Sequence, residues 1–204
     1  MSKVLIINSS IKGEGSVSRA LVESYKADLV KADPKTTFIE NDLGVTPLPV
    51  LSASNINGFF GNVGESVEAS QLAETVEARV SELEAADLIV IGAPMYNFGM
   101  SALLKTWFDY VLRSGRTFRY TEAGPEGLVK GKKAVVIETR DGFYSEGDAK
   151  AFDHQEGHIR TLLGFIGITD VTFVRSEKMA FGPDAKAAAI EGATKALSEL
   201  AAAA

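Results

Sequence analysis

The residues best suited to chemistry sit in two short stretches. Met95, Tyr96, Asn97 and Phe98 follow Gly92 and Pro94, which end a β-branched apolar run from Leu88 to Ile91. Their rings offer stacking surface and their amide groups offer orientation, which suits a flat heteroaromatic ligand. The plainer alternative is a turn whose aromatics only cover the end of a strand. The second stretch, Asn8 to Ser18, is rich in serine and glycine and leads into a helix starting near Ser18. Backbone N–H groups at a helix start, with the helix dipole, bind anions. The hydroxyls of Ser9, Ser10, Ser16 and Ser18 add donors. No Gly-Lys-Ser/Thr closes the loop, and Ser18 stands where a dinucleotide fingerprint needs its third glycine after Gly13 and Gly15. A monophosphate therefore fits better than a triphosphate or a dinucleotide. A serine N-cap on a flexible loop is the alternative.

Other chemistry lacks its parts. His154 and His158 are four apart, but no glutamate follows His154 in the metalloprotease pattern and no third ligand stands out, so no metal site is expected. There is no cysteine, hence no thiolate nucleophile or disulfide, and no Gly-x-Ser-x-Gly elbow. Carboxylates are plentiful without any pair marked as general acid and base. Such a chain fits an enzyme whose cofactor carries the reaction.

These stretches need a scaffold, and the rest of the sequence supplies one. A chain of 204 residues, 46% hydrophobic and 24% charged, fits one domain, 1–204, with a substantial core. A net charge of -6 argues against nucleic acid or an anionic membrane as main partner. The apolar run after Met1-Ser2-Lys3 is too short for a signal peptide or a membrane span, so a cytoplasmic location is expected. Val4–Ile7, Thr36–Ile39, Leu88–Ile91, Ala134–Ile137 and Val171–Val174 read as five strands. Continuous apolar runs of this kind are buried on both faces, as in a parallel sheet. Leu21, Val22, Tyr25 and Leu29 recur at helical spacing, as do Leu72, Val76, Val80 and Leu83. Leu103, Leu104, Trp107, Phe108, Val111 and Leu112 make a stripe wide enough to suggest a dimer interface beside core burial. Phe152 to Phe165 reads as a helix, Gly182-Pro183 opens the last one, and Ala201 to Ala204 looks frayed. Gly58-Phe59-Phe60-Gly61 and the long segment Gly115 to Lys132 read as loops, the latter over the sheet's carboxyl edge.

Alternating strands and helices with right-handed crossovers give an α/β, doubly wound parallel sheet. A flavodoxin-like order 2-1-3-4-5 brings the loops after strands one and three together at the switch point, where FMN sits in that fold. The two chemical stretches are therefore expected to meet.

Ser9-Ser-Ile11, Ala93-Pro-Met-Tyr-Asn-Phe98, Thr117-Phe-Arg-Tyr-Thr-Glu-Ala-Gly-Pro-Glu-Gly-Leu128 and Leu163-Gly-Phe-Ile-Gly-Ile168 resemble the FMN-dependent NADH azoreductase and quinone reductase family. The likeness runs over nearly the whole chain. It implies a homodimer with one non-covalent FMN per subunit, NADH as donor, and quinones or azo compounds as acceptors. By that resemblance Ser10, Ser16, Val17 and Ser18 hold the phosphate, and Met95, Tyr96, Asn97 and Phe98 contact the ring. Thr139-Arg140-Asp141-Gly142 stands where the family commonly shows Ser-Arg-Gly-Gly. Asp141 adds a negative charge and a Cβ where a glycine lets the backbone approach the flavin. This bears on contacts at the pyrimidine end of the ring and on the flavin's potential. The implied mechanism is ping-pong, with hydride passing from NADH to the flavin and then to a quinone in one turn or an azo bond in two. Phe60, Phe118 and Phe165, the last able to come from the partner subunit, are expected to wall the substrate slot, with core packing the alternative for Phe165. The rival reading is a non-enzymatic flavodoxin-like electron carrier.

Overall fold

The computed structural model describes residues 2–64 and 66–203. In chain order its elements are β1 (Lys3–Asn8), α1 (Val17–Ala32), β2 (Thr37–Asp42), α2 (Ile56–Phe59), α3 (Val67–Ala85), β3 (Leu88–Pro94), α4 (Ala102–Val111), β4 (Phe118–Thr121), β5 (Gly124–Gly127), β6 (Lys133–Thr139), α5 (Glu156–Phe165), β7 (Asp170–Ser176) and α6 (Pro183–Ala202). Five parallel strands pair in the order β2-β1-β3-β6-β7, and β4 and β5 form a separate antiparallel hairpin. Setting the hairpin aside, this is the expected order 2-1-3-4-5, the flavodoxin-like arrangement.

Alternation along each strand divides the core between two faces. Val4 and Ile6 of β1 pack with Val90, Val135 and Ile137 against Leu21, Val22 and Leu29 of α1 and Ala193 and Leu197 of α6. Leu5 and Ile7 turn the other way, joining Ile89, Ile91 and Val136 against Leu83 of α3, Leu104, Trp107 and Phe108 of α4, and Ile159 and Leu163 of α5. Burial of both faces explains why the strands read as unbroken apolar runs. Trp107 is completely enclosed, with its ring edge-to-face on Phe108. Among the described residues no helix is long and apolar enough to cross a membrane.

Several local expectations change. The stripe on α4 is consumed inside one chain: Leu104, Trp107, Phe108 and Val111 are buried, and Leu103 and Leu112 pack against the same cluster. Core burial thus accounts for most of the stripe, while Leu103 and Leu112 remain partly exposed in the single chain. The segment 115–132 contains the β4–β5 hairpin, and it lies at the amino edge of the sheet rather than the carboxyl edge. It links the end of α4 to the start of β6, and Arg116 ties it to Glu77 and Glu84 near the end of α3. Gly127 there approaches Gly167 so closely that a Cβ on it would lie 2.2 Å from the Gly167 nitrogen.

The helix expected from Phe152 is shorter. Asp148–Phe152 forms a 3-10 turn, and Gln155 and the Asp153 carboxylate begin α5 at Glu156. His154 thus precedes the helix that carries His158, and no group of three or more metal-ligating side chains is assembled among the described residues. Ala201, expected to fray, is helical and buried against the core, while Ala204 lies outside the described residues.

Candidate functional site

A cavity of about 330 Å³ opens at the carboxyl edge, between the loops that follow β1, β3 and β6. Its volume is that of a small-molecule site. One wall is the loop after β1. Ser16 caps α1, its Oγ accepting the Arg19 N–H at 3.2 Å, and Ser18 Oγ lies 3.1 Å from Ser16 Oγ. The first-turn N–H groups of a helix have no intrahelical acceptor. The Gly15 and Ser16 N–H groups donate to the Lys12 and Gly13 carbonyls and the Arg19 N–H to the cap. Val17 and Ser18 therefore supply the donors of the positively polarised helix end that Gly15, Ser16 and Val17 bring to the cavity.

The loop is held from below. The Arg19 guanidinium donates to the Ser10 carbonyl and to Asp42, each at 3.0 Å. Gly44 passes under the same carbonyl, where a Cβ would fall 2.1 Å from the oxygen, so only glycine fits.

The opposite wall is Pro94, Met95 and Tyr96. The Tyr96 hydroxyl accepts the Ile11 N–H at 3.2 Å and lies 3.5 Å from Ser10 Oγ, so the loops after β1 and β3 do meet. Tyr96 and Gly99 exchange both backbone hydrogen bonds around Asn97 and Phe98, whose φ values are 46° and 71°. Two positive φ angles in a two-residue turn are type I′ geometry, which Asn accepts readily and Phe does not. The strained turn carries the Phe98 ring out at the tip, against Tyr144 and Phe152 at centroid distances of 6.1 and 5.6 Å.

The third side is the end of β6. Thr139 and Asp141 line the cavity, and their neighbours do not. Arg140 is 1% exposed and turns inward, pairing with Glu138 at 2.7 Å, Asp153 at 3.0 Å and Glu177 at 3.2 Å. Three carboxylates thus share one guanidinium. Burial pushes the Glu138 carboxyl up to about 8, against the opposing pull of Arg140, and its Oε1 has no hydrogen-bond partner. The carboxylates hold Arg140 above its usual value in spite of burial. Glu177 also accepts from the Tyr144 N–H and the Ser145 hydroxyl, and Gln155 Nε2 donates to the Ala93 carbonyl. The buried cluster therefore ties the loops after β6, β7 and before α5 to the end of β3. Gly142 donates no side chain; its Cβ position is taken by the Tyr144 ring, 2.8 Å away.

Of the sequence-predicted residues, Ser10, Ser16, Val17, Met95, Tyr96, Thr139 and Asp141 converge on the cavity. Ser18 stands behind Ser16, Asn97 and Phe98 form the turn beyond the rim, and Arg140 and Gly142 act from below. Phe60 is 65% exposed, with its ring on Phe59. Phe118 is buried against Phe165 at 4.6 Å between ring centroids. That pair sits by the hairpin at the amino edge, away from this chain's own cavity. Lys12, Met179 and Lys186 also line the cavity and were not singled out from sequence. Lys186 had a signal, since Gly182-Pro183 marks a helix start four residues earlier. Met179 had none.

Comparison with known proteins agrees with this geometry. Residues 2–201 match a family described as having a flavodoxin-like fold. An FMN-dependent NADH:quinone oxidoreductase of Hyphomonas neptunium is 49% identical over 98% of this chain and 96% of that one. Another of that name from Ralstonia nicotianae is 46% identical over 97% and 96%. Among solved structures, an azoreductase from Bacillus anthracis superposes with a TM-score of 0.89 at 32% identity over 100% of both chains. An FMN-dependent NADH-azoreductase from the same species, in complex with FMN, gives 0.91 at 25% identity, covering 100% of this chain and 99% of that one. With this fold, this cavity and these relatives over its whole length, the chain belongs to the flavodoxin-like family of FMN-dependent NADH:quinone oxidoreductases and azoreductases.

Proposed function

We propose that the chain uses FMN and NADH to reduce quinones by two electrons and to cleave aromatic azo bonds to amines, by a ping-pong scheme. The observation that carries this reading is the contact of Tyr96 with Ser10 and Ile11, which joins an anion-binding helix start to an apolar and aromatic wall across one cavity. The residues present fit FMN. The N-terminus of α1, the hydroxyls of Ser10 and Ser16 and the ammonium of Lys12 suit a phosphate. Pro94, Met95 and Tyr96 suit a flat ring.

When bound, FMN supplies the redox chemistry, accepting hydride from NADH and passing two electrons to the acceptor. This chain's residues bind, orient and shield. Ser16 and the first turn of α1 hold one end of the cofactor. Met95 and Tyr96, locked by the turn to Gly99 and by the Met95 N–H to Thr139 carbonyl bond of 2.9 Å, fix the other. Phe98, Tyr144 and Phe152 form an aromatic surface beyond the rim that favours stacked, planar substrates.

The reading includes a homodimer. Phe118 and Phe165 are remote from the cavity of their own chain, so they can wall a substrate slot only on a second copy. The distribution of the aromatic residues supports that arrangement.

The test is a visible absorption spectrum of the purified protein. A yellow protein bleached by anaerobic NADH and restored by a quinone is the expected result, with parallel double-reciprocal lines in steady-state kinetics. A yellow protein indifferent to NADH would make it an electron carrier instead. A colourless protein that cannot be reconstituted with FMN would overturn the reading.

A further inference from the structure

The cavity is built for an anion, and one residue opposes that design. Lys12, Lys186, Ser10, Ser16 and the start of α1 all favour negative charge, yet Asp141 stands on the same wall as Thr139. Among the described residues, no ion pair or hydrogen bond involves its carboxylate. Nor is its backbone free to carry the charge away. The Arg140 N–H donates to the Ser176 carbonyl at 2.9 Å, and the Arg140 carbonyl accepts from Met179 at 3.2 Å. The Asp141 and Gly142 carbonyls accept from Ala180 and Lys178 at 3.1 and 2.8 Å. The buried Arg140 cluster anchors the same segment from beneath.

We propose that Asp141 tunes the flavin of this site, weakening its hold on the phosphorylated cofactor and lowering its reduction potential. The inference rests on the reading that the cavity holds FMN. A phosphomonoester brings a charge of about -1.5 to -2 at neutral pH, and an unpaired carboxylate in the same cavity repels it. A neutral ring that accepts a hydride gains two electrons and one proton, hence one negative charge. A carboxylate lining the same cavity makes that gain less favourable by like-charge repulsion, a modest effect because Asp141 is exposed and solvent screens part of it. The consequence is a reduced flavin that gives up its electrons more readily, which serves the delivery half of the reaction at the expense of the NADH half.

The experiment compares apo wild type, Asp141→Asn and Asp141→Glu. FMN and riboflavin affinities are read from flavin fluorescence, and midpoint potentials of the FMN-loaded proteins from spectroscopic titration against a reference dye. Asp141→Asn is expected to bind FMN roughly tenfold more tightly, with a smaller change for riboflavin, and to raise the potential by ~30 mV, the two-electron equivalent of tenfold. Asp141→Glu keeps the charge and is expected to stay with wild type. Equal potentials in wild type and Asp141→Asn would overturn the proposal. So would a Glu variant that shifts as Asn does, since the effect would then belong to a contact rather than to charge. If no variant takes up FMN, it is the FMN reading that fails, and the two failures are thereby distinguishable.

Discussion

Phe98 holds a φ of 71° at a turn position that glycine would occupy without strain. A non-glycine residue in that region costs about 1–3 kcal/mol, so its ring must contribute something the fold alone does not require. Phe98→Gly relieves the strain and loses the ring contacts to Tyr144 and Phe152. The expected outcome is a melting temperature close to that of the parent, with kcat/KM for quinones lowered roughly tenfold, a loss of ~1.4 kcal/mol in transition-state stabilisation. Thermal melts and steady-state rates on one preparation check both halves. Ser16 allows a sharper separation. Ser16→Ala removes the cap of α1 and should cost about 1 kcal/mol. Ser16→Asp keeps a capping oxygen but puts a carboxylate where the phosphate is proposed to bind. It should retain stability in urea and lose FMN affinity by more than tenfold.

At the scale of elements, the end of β6 is held by one guanidinium among three carboxylates. Arg140→Met leaves Glu138, Asp153 and Glu177 without their counter-charge, and breaking a buried pair costs about 3–5 kcal/mol. Urea denaturation should show a loss in that range, together with earlier proteolysis in the loop containing Tyr144 and Ser145.

Glu138 adds a pH dependence. Its folded value of about 8 lies above the ordinary 4.5, so the folded state binds the proton more tightly than the unfolded one. The stability it contributes is fully present below the unfolded value and is lost as pH rises through the folded one. Between about pH 5 and 8 stability should therefore fall, and Glu138→Gln should flatten that slope in chemical melts taken across the interval. The position was partly legible in sequence. Glu138 and Arg140 are two apart and so share one strand face, but two charges at a strand end read as solvent-exposed. The resemblance of Thr139-Arg140-Asp141-Gly142 to the family segment implied a cofactor contact for Arg140, while its burial depends on Glu177 and Asp153, which are distant in the chain.

For the whole molecule, the proposed dimer makes a measurable demand. Light scattering should give twice the 21.7 kDa chain mass. Phe118→Ala and Ser16→Asp, each impaired alone, should recover about a quarter of wild-type activity when co-refolded in equal amounts, because random pairing makes half the dimers mixed and one site in each mixed dimer is intact. No recovery would place Phe118 within its own subunit's chemistry or in the core alone.

The sheet order was accessible from sequence because Val4–Ile7, Leu88–Ile91 and Ala134–Ile137 are apolar on both faces, and right-handed crossovers leave few ways to connect them. The hairpin was not. Pro125 and two glycines occupy β5, where strand propensity is poor, and its position follows from packing of Gly127 on Gly167. The stripe on α4 was legible as apolar, but its width alone did not divide core burial from a subunit contact; the buried Leu104, Trp107, Phe108 and Val111 show how much of it the single chain encloses.

That enclosure also makes Trp107 useful to the experimenter. It is the chain's one tryptophan and is shut away from solvent, with its indole N–H unpaired. Its emission comes from a single buried environment, so a red shift reports exposure of the core around α4. With a yellow cofactor in the carboxyl-edge cavity, the same donor's energy transfer would separate cofactor release from unfolding in one fluorescence trace.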